Sequence, residues 1–286
     1  MCGLTGIVSG RFSKRRLKDI EALADIFTRQ LLLSEHRGPH ATGVAWLKRD
    51  GAMQVAKEPL PARDFVQTRA YLDWLLGLDR QVTYLMGHTR WPSRGSVHNP
   101  ANNHPICLPV TPEDHPDWGT GVGCLALTHN GTLVEVARHF SRLGLARTAQ
   151  VDSELLARIA QRHTSTMGID LDAILADLAP LEGRMSLALA TTCRPDEIIL
   201  LKGNMPLEIR LHRHARVLYY ASETQILDRA LGVTNSWEPY PLAPGEGLVI
   251  DAQAWTLRRI PFTFHGIHTT LAGSVTGASR EKETIR

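Results

Sequence analysis

Cys2 and the residues that could serve it pose the first chemical question. Removal of Met1, which a side chain as small as cysteine at position 2 permits, would leave a thiol and a free α-amine on one residue. An α-amine with a pKa of about 7.7–8.0 accepts a proton at neutral pH, so such a nucleophile brings its own base. A thiolate attacking an amide carbonyl also needs hydrogen-bond donors aimed at the developing oxyanion. His129-Asn130-Gly131, which follows the apolar run 125–127, could supply them from backbone and side-chain N–H groups. Asn-Gly is equally the signature of a plain turn.

Other side chains could hold a charged substrate. In Gly87-His88-Thr89-Arg90-Trp91 an arginine beside an aromatic could bind a carboxylate, or could simply stack on the indole at the surface. Asp152, in Val151-Asp152-Ser153-Glu154, could balance an ammonium group, but it also stands where a helix N-cap is expected. Thirteen histidines include His98, His104 and His115 in one loop. No His-Glu-x-x-His motif, paired cysteines or clustered carboxylates accompany them, so they read as polar loop residues rather than metal ligands.

These groups need a scaffold. Leu4 to Val8 reads as a strand starting almost at the terminus, which would put Cys2 on the end of a sheet. Further strands are expected at 44–47, 82–86, 122–127, 185–190, 198–201, 217–221 and 248–250. Helices are expected at 15–33, 64–77, 133–143, 153–163, 170–178 and 223–231. The order lacks regular βαβ alternation, so two mostly antiparallel sheets with helices outside them are expected. Residues 92–120 read as one long polar loop, of the kind that is often functional. From about 266 the chain turns small and polar, and its end is expected to fray.

Bulk composition narrows the field. With 286 residues, 43% of them hydrophobic, the chain can bury a sizeable core. A net charge of +3 gives no reason to expect nucleic acid or a membrane surface as a partner. Four scattered cysteines, Cys2, Cys107, Cys124 and Cys193, suggest no disulfide framework and a reducing, cytoplasmic setting. Neither a signal peptide nor an apolar run long enough to span a bilayer is legible.

Taken in order, five blocks resemble the class II glutamine amidotransferase domain, an N-terminal-nucleophile hydrolase, and most closely the glutaminase half of glucosamine-6-phosphate synthases. They are Cys2-Gly3-Leu4-Thr5-Gly6, His36-Arg37-Gly38-Pro39-His40-Ala41-Thr42-Gly43, His88-Thr89-Arg90-Trp91, His129-Asn130-Gly131 and Val151-Asp152-Ser153-Glu154. Lys202-Gly203-Asn204-Met205-Pro206-Leu207 and Tyr220-Ala221-Ser222-Glu223 extend the likeness. The resemblance covers residues 2–252, sets 253–286 apart as a C-terminal extension, and implies a four-layer αββα sandwich. It implies that Cys2 attacks the side-chain amide of L-glutamine, with Asn130 and Gly131 forming the oxyanion hole. Arg90, helped by Ser93, would hold the α-carboxylate, Asp152 the α-ammonium, and Trp91 would shape the pocket, with Arg37 bordering the nucleophile. Glutamate and ammonia would result without metal or organic cofactor, and the ammonia would pass to a separate acceptor enzyme.

Two positions depart from the synthase pattern. Arg94 stands at a family histidine, and Pro39-His40-Ala41-Thr42 is partly closer to the Arg-Gly-Pro form of asparagine synthetases. Two other readings stay open: an N-terminal-cysteine acylase of another amide, and a catalytically silent glutamine-binding module.

Overall fold

A computed structural model describes residues 1–10, 16–110, 123–232, 236–267 and 282–284. The run after Cys2 forms β1 (Gly3–Ser9), buried at every position. Its alternating side chains face two cores: Leu4 and Val8 look into the space between two sheets, and Ile7 looks outward toward helices. Around it are β2 (Ala41–Lys48), β3 (Met53–Glu58), β4 (Val82–Arg90), β11 (Glu208–His212), β12 (Val217–Ala221) and β13 (Glu238–Pro239). They pair in the order β13-β11-β12-β1-β4-β2-β3, which puts β1 in the centre.

The second sheet contains β5 (Ile106–Val110), β6 (Gly123–Leu133), β9 (Gly183–Thr191), β10 (Glu197–Lys202), β14 (Glu246–Asp251), β15 (Thr256–Pro261) and β16 (Lys282–Thr284). Its order is β16-β15-β14-β10-β9-β6-β5, and β7 (Thr164–Ser165) with β8 (Gly168–Ile169) makes a small separate ribbon. All the pairings are antiparallel.

Helices cover both outer faces. On the first sheet lie α1 (Leu17–Leu33), α2 (Ala62–Phe65), α3 (Arg69–Leu76) and α7 (Thr224–Leu231), through Phe27, Leu31, Phe65, Trp74 and Ile226. On the second lie α4 (Val136–Leu143), α5 (Ser153–Arg162) and α6 (Leu171–Leu178), through Phe140, Leu155, Ile159 and Ile174. Between the sheets, Tyr84, Met86, Leu218 and Tyr220 meet Ala126, Ala188, Ala190, Ile198 and Leu200. The result is the expected αββα sandwich.

Two local expectations change. The helix expected over 64–77 is divided into α2 and α3 because Thr68 leaves helical geometry and its hydroxyl caps α3, accepting from the Tyr71 amide at 3.2 Å. The loop expected over 92–120 contains β5, whose Ile106, Leu108 and Val110 point into the core while Pro109 is exposed. Proline is tolerated there because β5 is an edge strand. Residues 111–120 of that loop, His115 among them, lie outside the described residues, as does most of the segment expected to fray. Among the described residues no helix is long and apolar enough to cross a membrane.

Candidate functional site

The first sheet delivers Cys2. Because Gly3 pairs with Thr89 across β1 and β4, Cys2 lies beside the Arg90–Trp91 end of β4, and its thiol donates to the Trp91 carbonyl at 3.6 Å. Cys2 is half-buried, whereas Met1 is exposed, 62% of its surface open to solvent. Burial pushes the Cys2 thiol above its ordinary pKa, and the nearby Asp152 carboxylate adds to the shift. The Trp91 hydrogen bond, the chain's amino terminus and Arg90 pull in the opposite direction without cancelling it. The resting sulfur is therefore a protonated thiol at neutral pH, and its chemistry requires a base.

Arg37 fixes the backbone of the nucleophile. Its guanidinium is 6% exposed; Nε donates to the Cys2 carbonyl at 2.9 Å and Nη1 is paired with Glu223. Burial would raise the Glu223 pKa, but Arg37 and His36 outweigh it and hold the carboxyl below the usual range. Gly38 lets this loop lie against β4, since a Cβ there would stand 2.4 Å from the Arg90 carbonyl carbon. Glu223 and Ser222, whose hydroxyl accepts from the Leu4 amide at 2.8 Å, complete the support. Their signal in the sequence was the Ala221-Ser222-Glu223 strand end.

The second sheet delivers Asn130 and Gly131, on β6 rather than on an isolated turn. His88 Nε2 reaches the His129 carbonyl at 3.1 Å, joining β4 to β6 and bringing the two ends together. His129 is itself held, with Nδ1 2.8 Å from Ser153 Oγ and Nε2 3.2 Å from the Arg184 carbonyl. Gly131 has φ of 155°, and a Cβ on it would lie 1.9 Å from the Arg184 oxygen, so only glycine fits. Both polar atoms of the buried Asn130 carboxamide lack a hydrogen-bond partner in the protein. A buried amide left unbonded by the fold costs stability, and its donor and acceptor are free to bond another group.

Asp152 resolves one ambiguity of the sequence. It occupies the N-cap position of α5 but makes no capping bond; its Oδ2 accepts from the Leu133 amide on β6 at 2.7 Å. The carboxylate is 4% exposed and close enough to the Cys2 sulfur to act on its ionisation.

Arg90 is also buried, but its guanidinium already has work within the fold. Nη1 donates to Asn103 Oδ1 at 2.7 Å, and Nη2 donates to the carbonyls of Arg94 and Gly95 at 2.6 and 3.0 Å. Of its five N–H groups, Nε and one on Nη1 remain for a ligand. Asn103 was not singled out in the sequence because it lay within a run of loop-forming residues. Trp91 is half exposed and meets His40 edge-on at 5.2 Å, at the rim of the site. Ser93 is exposed on the following loop and makes no hydrogen bond to Arg90. Cys2, Arg37, Arg90, Trp91 and Asp152 thus lie about one sulfur, and Asn130 and Gly131 are carried to that end by β6.

Two of the described histidines pack inside the fold. His88 and His104 stack at 4.1 Å between the sheets, and burial pushes His88 down to about 3 and His104 well below its ordinary value. His98 is exposed. Among the described residues, no three His, Cys, Asp or Glu side chains are grouped to hold a metal ion.

No family model matches the chain. It is 28% identical over 214 residues to glutamine–fructose-6-phosphate aminotransferase (isomerizing) of Aquifex aeolicus, covering 74% of this chain and 31% of that protein. It is 27% identical over 237 residues to the enzyme of the same name from Aeropyrum pernix, covering 82% and 34%. The chain therefore spans about a third of the length of these curated relatives. Among solved structures, the glutamine phosphoribosylpyrophosphate amidotransferase of B. subtilis superposes with a TM-score of 0.67 at 21% identity, over 92% of this chain and 49% of that one. The chain is thus similar in sequence to these aminotransferases, and the superposition shows a fold shared with the amidotransferase.

Proposed function

We propose that residues 2–252 form a glutaminase-type amidotransferase domain in which Cys2, freed of Met1, hydrolyses L-glutamine. The observation that carries the reading is the buried Asn130 carboxamide, unbonded within the protein, on the strand that His88 ties to the Cys2 end of β4. The α-amine of Cys2 takes the thiol proton, and the thiolate attacks the glutamine side-chain carbonyl. Asn130 Nδ2 and the Gly131 amide stabilise the oxyanion, a contribution of about 3–4 kcal/mol per donor in comparable sites. Collapse expels ammonia, which carries away the proton, and water then hydrolyses the glutamyl thioester to glutamate.

Specificity follows from charge. Asp152 attracts the substrate α-ammonium, and the Arg90 guanidinium attracts the α-carboxylate, with Ser93 drawn in when the loop closes. Fixing both ends of the amino-acid portion turns the attack into an oriented, intramolecular-like step. Trp91 covers the rim. No cofactor enters this chemistry.

The ammonia passes to an acceptor enzyme, and the domain works in the cytoplasm. Purified protein should release equimolar glutamate and ammonia from glutamine while leaving simple acyl amides intact. Hydrolysis of acyl amides in preference to glutamine would replace this reading with an acylase. Glutamine binding without hydrolysis, with Met1 absent, would replace it with a silent binding module.

A further inference from the structure

Two buried arginines flank Cys2, and the fold treats their charges differently. Arg37 is paired with the Glu223 carboxylate, so its charge is balanced within the protein. Arg90 is held by uncharged acceptors: the Asn103 carboxamide oxygen at 2.7 Å and the carbonyls of Arg94 and Gly95 at 2.6 and 3.0 Å. Neutral oxygens orient a guanidinium without cancelling its charge, whereas a carboxylate does both.

Among the described residues, Asn103 supplies the one side chain in that clasp, and it is itself fixed from several directions. Its Nδ2 donates to the Val97 carbonyl at 2.6 Å. Turning the carboxamide over would set donor against donor at Arg90 and acceptor against acceptor at Val97, so one orientation is enforced. The Asn103 main-chain carbonyl accepts from Lys57 Nζ at 2.9 Å, and the same ammonium donates to the Pro105 carbonyl at 3.0 Å. Lys57 comes from β3, where the register sets it beside Gly43 of β2. Gly43 in turn lets residues 103–105 lie against that strand, since a Cβ there would stand 2.1 Å from the His104 oxygen. His104, stacked on His88, secures the inner side.

We propose that Asn103 is a specificity-determining positioning residue, a neutral clasp that aims the Arg90 guanidinium and leaves its charge to the substrate's α-carboxylate. The proposal rests on the glutaminase reading above and adds to it the reason for an uncharged residue at position 103. Aspartate there would keep an acceptor for Arg90 but spend the charge that the substrate's anion needs. Its second oxygen would also face the Val97 carbonyl, which now receives a donor. Alanine would leave the charge and release the aim. The two substitutions therefore separate charge from orientation, and a substrate without the α-carboxylate should be indifferent to both.

The test compares the full-length parent protein with Asn103→Ala and Asn103→Asp on L-glutamine and on L-glutaminamide, in which an uncharged amide replaces the α-carboxylate. The readout is the ratio of kcat/KM for side-chain hydrolysis of the two substrates, with far-UV spectra matched to the parent. The ratio should fall about 10-fold in Asn103→Ala and about 100-fold in Asn103→Asp. The loss should lie in the KM for glutamine, with kcat and glutaminamide turnover little changed. A residue that merely props the loop would lower both substrates together and leave the ratio where it was, and that result overturns the proposal. So does a ratio in Asn103→Asp equal to or above that in Asn103→Ala. If the aspartate variant does not fold, the alanine variant still decides between a selective and a parallel loss. Parent protein that hydrolyses neither substrate overturns the glutaminase reading and this proposal with it, whereas an active parent with unmoved ratios in the variants overturns the proposal alone.

Discussion

The Asp152 carboxylate accepts a hydrogen bond from the Leu133 amide at 2.7 Å although it stands at the N-cap position of α5. A carboxylate in that position ordinarily satisfies its own helix's first amides and gains from the helix dipole. Here the side chain turns toward β6, two residues beyond Gly131. A buried carboxylate is costly unless a cation meets it, and Asp152 is 4% exposed.

Replacing Asp152 with Asn keeps an acceptor for the Leu133 amide and removes the charge. The KM for glutamine should rise about 10- to 100-fold, or about 1.4–2.8 kcal/mol, with kcat changed far less. Steady-state kinetics on the purified variant check this. An unchanged KM would remove Asp152 from the ammonium site.

Asn130→Ala and Gly131→Ala separate chemistry from folding. The first removes a candidate oxyanion donor and leaves no buried protein partner stranded, so kcat should fall about 10²- to 10³-fold with an unchanged urea midpoint. The second forces a methyl group to within 1.9 Å of the Arg184 oxygen at a φ that L-residues avoid. It should cost about 1–3 kcal/mol of stability as well as activity, read by urea denaturation beside the assay.

The rate should follow pH in the direction set by the buried thiol. Burial raises the Cys2 pKa, so the attacking thiolate and its amine base are both favoured as protons are removed. The kcat/KM for glutamine should climb from about pH 6 through about pH 8, the midpoint of the Cys2 α-amine titration. A profile falling over that range would contradict a self-activated cysteine.

Stability should run with the buried histidines. The folded-state pKa of His88 lies at about 3 against 6.5 unfolded, and that of His104 is also depressed. Below the unfolded value the denatured chain takes up protons that the folded chain refuses. Stability from this source is complete above pH 6.5 and is lost as pH falls toward 3, at up to about 1.4 kcal/mol per pH unit for each histidine. Urea midpoints measured between neutral and mildly acidic pH, compared with His104→Phe, check the sign.

The central strands and most helices were legible because their patterns are strong. Leu4–Val8 is a short apolar run, and Ile20, Phe27 and Leu31 repeat at helical spacing and are all buried. Edge strands were less visible. β3 buries only Ala56, and β5 carries a proline among loop-like residues, so neither gives the hydrophobic signal of a central strand.

Candidate residues could be named where order and type combined, as with Cys2, Arg90, Asn130 and Asp152. What a linear pattern cannot carry is partnership across the fold. Nothing in the neighbourhood of Asn103 or Glu223 in sequence says that one fastens Arg90 and the other Arg37. Ser93 shows the converse: close to Arg90 in sequence, it makes no hydrogen bond to its guanidinium.

Labelling with a glutamine-analogue diazoketone, followed by intact mass and peptide mapping, tests the assignment of Cys2 most directly. The account predicts protein lacking Met1, one adduct on the Cys2 sulfur, protection by excess glutamine, and loss of glutaminase activity in step with labelling. Active protein that retains Met1, or inactivation with the adduct on any other residue, would contradict it.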